Sequence, residues 1–239
     1  MTDTLAPSTC IVRDTAARPG RTFAVAPGRT ATRYLHYGRI ILRAAHDPVG
    51  FATGERETGL VCLAGSAAVT VGDQSFALGR YDALYAGRDQ GITVTPGPDG
   101  VDLAELAAPV SAHHPAQHVR FADVRQDSTL HFETGGSAAK RDLNVLIGKN
   151  VRAGRIMAGV TFSQPGNWTS WPPHEHAAML EEAYLYIDMP APAFGIQLVY
   201  TNPREPEVAT IVREGDVVLM PQGYHPMSRR PADRSTSCG

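Results

Sequence analysis

The stretch Asn167-Trp168-Thr169-Ser170-Trp171-Pro172-Pro173-His174-Glu175-His176, continued by Glu181-Glu182-Ala183-Tyr184-Leu185-Tyr186, decides how the rest of the chain is read. Its distant echo is Pro221-Gln222-Gly223-Tyr224-His225-Pro226. In an extended strand side chains alternate between faces, so His174 and His176 project together and Glu175 projects the other way. The adjacent prolines hold the lead-in extended, and a Glu-Glu-x-Tyr run with strand periodicity follows. Two imidazoles on one face, a carboxylate opening the next strand and a third His at the end of a later one give three nitrogens and one oxygen. Such a set suits zinc, manganese or iron(II), with room for water or substrate.

Around this stretch the second half reads as β-structure. Strands are expected at 155–162, at 169–176 with the first ligands, at 182–187, and at 194–200, 208–212 and 217–220, with turns at Gln164-Pro165-Gly166-Asn167 and Glu214-Gly215-Asp216. The first half has the same texture, with runs at 39–43, 59–63, 67–71, 74–78, 81–85, 91–94 and 102–107 and a hairpin signal at Gly72-Asp73. Short strands broken by Gly argue for an all-β sandwich or barrel. No segment before residue 110 sustains a helical period. The first 30 or so residues read as an irregular arm with at most a short strand near 10–13. From 109 to about 139 the composition shifts to His, Gln, Ser, Gly and Asp, which reads as a crossing. His113, His114 and His118 lie there without a flanking carboxylate-bearing strand and are read as solvated side chains.

Composition bounds the function classes. The 239 residues can bury one large or two small cores, and 43% hydrophobic with 19% charged residues describes an ordinary globular protein. With 22 Lys and Arg against 24 Asp and Glu, the net charge of -2 gives no field that would recruit nucleic acid or an anionic membrane. Apolar runs fall short of the about 20 residues a membrane span needs, and Met1-Thr2-Asp3-Thr4 lacks the pattern of a signal peptide, so a cytoplasmic location is expected. Cys10, Cys62 and Cys238 match no disulfide or zinc-knuckle spacing, and Cys62 reads as a small buried hydrophobe.

The His-x-His pair, the following Glu and Gly215-x5-Pro221-x-Gly223-x-His225 resemble the two motifs of the cupin superfamily. More narrowly, residues 166–176 and 180–184, Phe194-Gly195-Ile196-Gln197-Leu198-Val199-Tyr200-Thr201 and Gly223-Tyr224-His225-Pro226 resemble the 5-deoxy-glucuronate isomerases of inositol catabolism, with the pectin-pathway uronate ketol-isomerases as sister family. The likeness is strong over 155–226 and only textural before that. It implies two tandem cupin-like β-barrel or sandwich (jelly-roll) domains, read here as 1–118 without a metal site, a linker at 119–142, and a metal-binding domain at 143–239. It also implies an aldose–ketose isomerase taking 5-deoxy-D-glucuronate to 5-dehydro-2-deoxy-D-gluconate. The alternatives are the pectin-pathway reaction, a cupin dioxygenase and a non-catalytic sugar-binding cupin.

The resemblance places the metal ligands on His174, His176, a Glu and His225, with zinc ahead of manganese or iron(II). Spacing alone selects Glu181, whereas strand parity selects Glu182, which shares a face with Tyr184 and Tyr186 and is preferred. Glu181, Tyr184 or a metal-bound hydroxide are then candidates for the group that carries the proton between carbons. Trp168, Trp171 and Tyr200 are candidates for a sugar-contacting wall, and Arg155 for the partner of the substrate carboxylate. A small sugar acid is the expected partner, with homo-oligomerisation left open. After Pro226 the sequence turns polar and Arg- and Ser-rich without a strand pattern, so the second domain is expected to lack its last strand and to leave a sheet edge open.

Overall fold

The computed structural model describes residues 5–230. The first half contains α1 (Pro7–Cys10), β1 (Ile11–Val12), β2 (Gly20–Val25), β3 (His36–Leu42), β4 (Val49–Ala52), β5 (Arg56–Val71), β6 (Gln74–Leu78), β7 (Ala83–Ala86), β8 (Gly91–Pro109) and β9 (Gln117–Val119). Then come α2 (Phe121–Val124), β10 (His131–Thr134), β11 (Arg141–Ile147), β12 (Ala158–Ser163), β13 (Trp168–Thr169), β14 (Glu182–Leu185), β15 (Phe194–Val199), β16 (Val208–Val212), β17 (Val217–Met220) and β18 (Met227–Arg230). Four-residue helices are the only ones among the described residues, so no helix there is long and apolar enough to cross a membrane.

The first half is one eight-stranded sheet, β2-β3-β8-β5-β7-β9 with β4 on β8 and β6 on β5. The long strands β5 and β8 pair along most of their length, and register shifts between Cys62 and Ala64 and between Gly65 and Ala67 let β5 bend so that it serves both layers. At the bend Gly65 is at φ +70 and a Cβ there would lie 2.1 Å from the Gly100 carbonyl, so only glycine fits. The turn expected at Gly72-Asp73 joins β5 to β6, with Val71 opposite Gln74.

The second half holds three open sheets, β10-β11-β12, β13-β18-β15-β16 and β1-β17-β14, so the architecture is a stack of sandwiches rather than a closed barrel. One apolar core belongs to the first half (Ile40, Leu60, Cys62, Val69, Leu103) and one to the second (Tyr186, Val199, Val212, Met220, Met227). A third core joins the halves, with Tyr37, Val61 and Tyr85 against Leu146, Ile147 and Leu219. Cys62 is fully buried, and burial pushes its thiol up to about 12, as expected of a packing residue.

Three sequence expectations are corrected. The arm is more regular than expected: the short strand near 10–13 is there as β1, which adds an edge to β17 with Ile11 opposite Val218, but α1 packs its Cys10 into the second-half core and β2 forms at Gly20–Val25. The segment at 119–142 is built, since Val124 and Leu130 enter the joining core and β10 pairs with β11; its polar composition is the outer face of short elements. Finally, Met227–Arg230 forms a strand despite its polar sequence, because β18 lies between β13 and β15 and both its edges have backbone partners. On the β13 side the pairing covers Met227 and Ser228, and on the β15 side all four residues. Residues 231–239, including Cys238, lie outside the described residues.

Candidate metal centre

The ligand loop leaves β13 abruptly. Ser170 sits at φ +55, a left-handed conformation uncommon for a non-glycine residue, and its Oγ is hydrogen-bonded to the Tyr184 hydroxyl. A cis peptide joins Trp171 to Pro172. In place of the strand expected over 169–176 there is the two-residue β13, which ends at Thr169, and His174 and His176 stand on an irregular loop. The loop is shaped locally: Glu175 Oε2 accepts the Ala177 N–H at 3.0 Å, and the His176 carbonyl accepts the N–H groups of Met179 and Leu180 at 2.8 and 3.0 Å. The two rings still come together, with centroids 6.0 Å apart.

His225 arrives from the other side. Gly223 is at φ +90, and a Cβ there would lie 2.7 Å from the Tyr200 carbonyl, so glycine alone permits the bridge between Tyr200 and Tyr224 that delivers His225. Its ring is fully buried, 4.8 Å from that of His174 and 5.0 Å from that of His176. Gln197, a buried polar residue on β15, donates Nε2 hydrogen bonds to the His225 carbonyl at 3.0 Å and to the Leu198 carbonyl at 2.7 Å and accepts from Tyr186. The sequence signal for it was a lone amide at an inward position of an apolar strand.

One potential ligand atom from each of His174, His176 and His225 falls within a group spanning at most 4.8 Å. Glu182 opens β14 opposite Met220, and its Oε2 lies 3.0 Å from His176 Nε2 and 3.1 Å from His225 Nε2. Strand parity thus separates the two glutamates. Glu182 turns to the imidazoles, while Glu181 turns to the first half, where its carboxylate accepts the N–H groups of Arg33, Tyr34 and Leu35 at 2.6, 2.7 and 2.5 Å. The structure does not bring Glu181 to the centre, because those amides already occupy it.

The rings share one orientation. Nδ1 of His174 faces the Pro172 carbonyl at 3.3 Å, that of His176 the Leu180 carbonyl at 3.4 Å and that of His225 the Gly223 carbonyl at 3.0 Å. Each carbonyl favours an Nδ1–H donor, which turns Nε2 inward as a lone pair. His225 Nε2 is buried without a hydrogen-bond partner, its approach to Glu182 being too far off axis to count as one. Imidazole lone pairs and a carboxylate oxygen repel each other at such distances unless a proton or a cation lies among them. The electrostatics agree in sign. Burial pushes Glu182 up, but the imidazoles of His225 and His176 outweigh it and hold the carboxyl below its usual range. Burial pushes His225 down, but Glu182 and the Gly223 carbonyl outweigh it and raise it. The donor set of three imidazoles and one carboxylate fits a divalent cation.

Tyr184 stands beside this group, its ring 5.9 Å from that of His225. Burial, reinforced by the Glu182 charge, pushes its phenol well above the ordinary value, so at neutral pH it is a hydrogen-bond donor and not a base.

A model of the KduI/IolB family matches residues 10–233. The chain belongs to that family. Among curated relatives, a 5-deoxy-glucuronate isomerase of Geobacillus kaustophilus is 33% identical over 138 residues, 55% of this chain and 48% of that protein. One of Shouchella clausii is 30% identical over 193 residues, 73% of this chain and 69% of that protein. The match thus spans about half the length of the former relative. An IolB-like protein of Salmonella typhimurium LT2 superposes with a TM-score of 0.78 at 23% identity, covering 95% of this chain and 88% of that one. An oxalate decarboxylase mutant of Bacillus subtilis gives 0.68 at 12% identity, covering 94% and 74%. These likenesses establish the cupin fold.

In this KduI/IolB-family chain the remaining candidates divide. Trp168 and Trp171 pack at a 5.4 Å centroid distance, with Trp171 exposed where the ligand loop begins. Tyr200 stacks at 5.6 Å on Tyr224, the residue next to His225 in the chain. Arg155 is exposed, with its guanidinium 4.9 Å from the Tyr34 ring centroid. It serves the contact between the halves. His113, His114 and His118 take no part in the group; the ring of His114 packs on Tyr85 at 6.4 Å and that of His118 on Phe76 at 5.9 Å.

Proposed function

We propose that the chain is a metal-dependent aldose–ketose isomerase that converts 5-deoxy-D-glucuronate to 5-dehydro-2-deoxy-D-gluconate in the cytoplasm, with His174, His176, Glu182 and His225 holding the cation. The observation that carries it is the convergence of inward-turned Nε2 atoms with the Glu182 carboxylate; the family and its curated isomerases supply the substrate. Zinc is preferred for a set rich in imidazole, ahead of manganese or iron(II).

A cation bound there would supply Lewis acidity at the substrate carbonyl and neighbouring hydroxyl, easing transfer of the proton from the hydroxyl-bearing carbon to a base that returns it to the former carbonyl carbon. The chain's own residues position the substrate and meet its developing charge. Glu182 and the imidazoles, oriented by backbone carbonyls, fix where the reacting carbons sit. Tyr184 keeps its proton and, held by Ser170, offers that hydrogen to negative charge developing on the substrate oxygen. Trp171 and Trp168 supply an apolar wall at the loop entrance.

The test is incubation of the metal-loaded chain with 5-deoxy-D-glucuronate in deuterated water, followed by NMR. Conversion to the keto acid with deuterium at the adjacent carbon is the expected result; oxygen consumption without isomerisation would replace the reading with a dioxygenase. Tyr184→Phe should keep about one metal per chain by elemental analysis and lower turnover about tenfold, the worth of one hydrogen bond to a charged oxygen.

A further inference from the structure

Arg141 opens β11, opposite Ser163 of β12, and is half buried. Its Nη1 donates to the Ala139 carbonyl at 3.2 Å and to the Trp171 carbonyl at 3.4 Å. The second of these contacts ties it to the start of the ligand loop, where Pro172 O receives His174 Nδ1. Its charge reaches Tyr184 and acts on that phenol. Arg21, Arg39 and Arg88, also withdrawn from solvent, hold Glu105, Asp102 and Asp89, whereas Arg56, partly buried on β5 of the first half, has no such partner among the described residues. Arg141 pairs with no carboxylate among the described residues, and its Nε and Nη2 donors are uncommitted.

We propose that Arg141 is the specificity-determining residue that receives the carboxylate of the sugar acid, a role that rests on the isomerase reading of the neighbouring centre. A guanidinium presents Nε–H and Nη2–H as a fork matched to two carboxylate oxygens. These are the donors left over here, since the backbone carbonyls are met through Nη1 alone and hold the group in place. Carbonyl and carboxylate stand at opposite ends of the sugar acid, so an enzyme of this kind needs a cation displaced from its metal, on the same side of the molecule. Arg141 meets that requirement: it contacts the loop that carries His174 through the carbonyl of Trp171, a residue that is itself exposed. Arg155 does not: it is exposed, lies over Tyr34 of the first half, and no hydrogen bond among the described residues ties its side chain to the ligand loop.

The experiment is calorimetric titration of the zinc-loaded full chain with D-glucuronate and with its neutral amide, for the wild type, Arg141→Gln, Arg141→Lys and Arg155→Gln. The wild type should bind the acid about 10–100-fold more tightly than the amide, the range for a charge-assisted pair. Arg141→Gln should erase that preference at unchanged metal content and circular dichroism, and Arg141→Lys should keep part of it, having the charge without the fork. The acid preference surviving in Arg141→Gln, or vanishing instead in Arg155→Gln, overturns the assignment while the isomerase reading stands. A wild type that binds acid and amide alike overturns the assignment as well, and one that also fails to isomerise 5-deoxy-D-glucuronate overturns both. Preference for the acid in a wild type that does not isomerise keeps Arg141 as a carboxylate site and removes the activity.

Discussion

His225→Ala is expected to abolish metal binding at the stoichiometric level and isomerisation with it. Residues that only orient metal ligands are worth about 10–100-fold in affinity, and a ligand itself carries more. His225 is also the least replaceable of the set, because its ring is fully buried between those of His174 and His176 and water cannot enter without opening the core around Gln197. His174 is exposed, so His174→Ala should weaken the metal with little effect on the metal-free fold, whereas His225→Ala should also lower the melting temperature of the metal-free chain. Elemental analysis and metal-competition titration of both variants, beside thermal melts in chelator, read these differences. Near one metal per chain at unchanged affinity in His225→Ala would remove the centre from this position.

The parts of the centre that could be read from sequence are those set by strand period. Parity on β14 distinguishes Glu182 from Glu181, because neighbouring residues on a strand face opposite ways whatever the rest of the fold does. The place of His225 in the cluster was legible too, since Gly223 marks a backbone conformation that only glycine adopts freely. The loop bearing His174 and His176 was misread as a strand. What shapes it is Ser170 turned left-handed onto Tyr184 and the helical-type turn after His176, and neither leaves a periodic trace. Arg141 was passed over for a related reason. Its role depends on which arginines find carboxylates, and those pairings join residues as far apart as Arg21 and Glu105. The docking of α1 and β1 onto the second half was equally hidden, because Ile11 meets Val218 across almost the whole chain.

The same long-range pairing makes Glu57→Ala the largest expected loss of stability. Glu57 lies on β5 and is fully buried, yet its carboxylate chiefly serves the other half: Oε2 accepts from Gly154 N at 2.6 Å, Oε1 accepts from Arg155 N and Ile156 N at 2.6 and 2.9 Å, and within its own half Tyr85 Oη donates to Oε2 at 2.7 Å. Glu181 does the converse from the second half, holding the amides of residues 33–35 in the first, and Arg155 lies over Tyr34 between these two anchors. Removing Glu57 strands buried donors, each worth about 1–3 kcal/mol, so a total near 3–5 kcal/mol is expected after partial rehydration. Glu181→Ala should cost less, because its site is partly open to water. Glu57→Gln keeps one acceptor oxygen but turns an NH2 group toward backbone N–H donors, and should fall between wild type and Glu57→Ala. Urea unfolding of the metal-free variants measures the series, and a Glu57→Ala midpoint equal to wild type would show that the halves do not depend on this contact. The series has a second reading in metal affinity. Glu181 is the neighbour of Glu182, so if these anchors also set the position of β14, Glu181→Ala should weaken metal binding more than its smaller stability cost suggests.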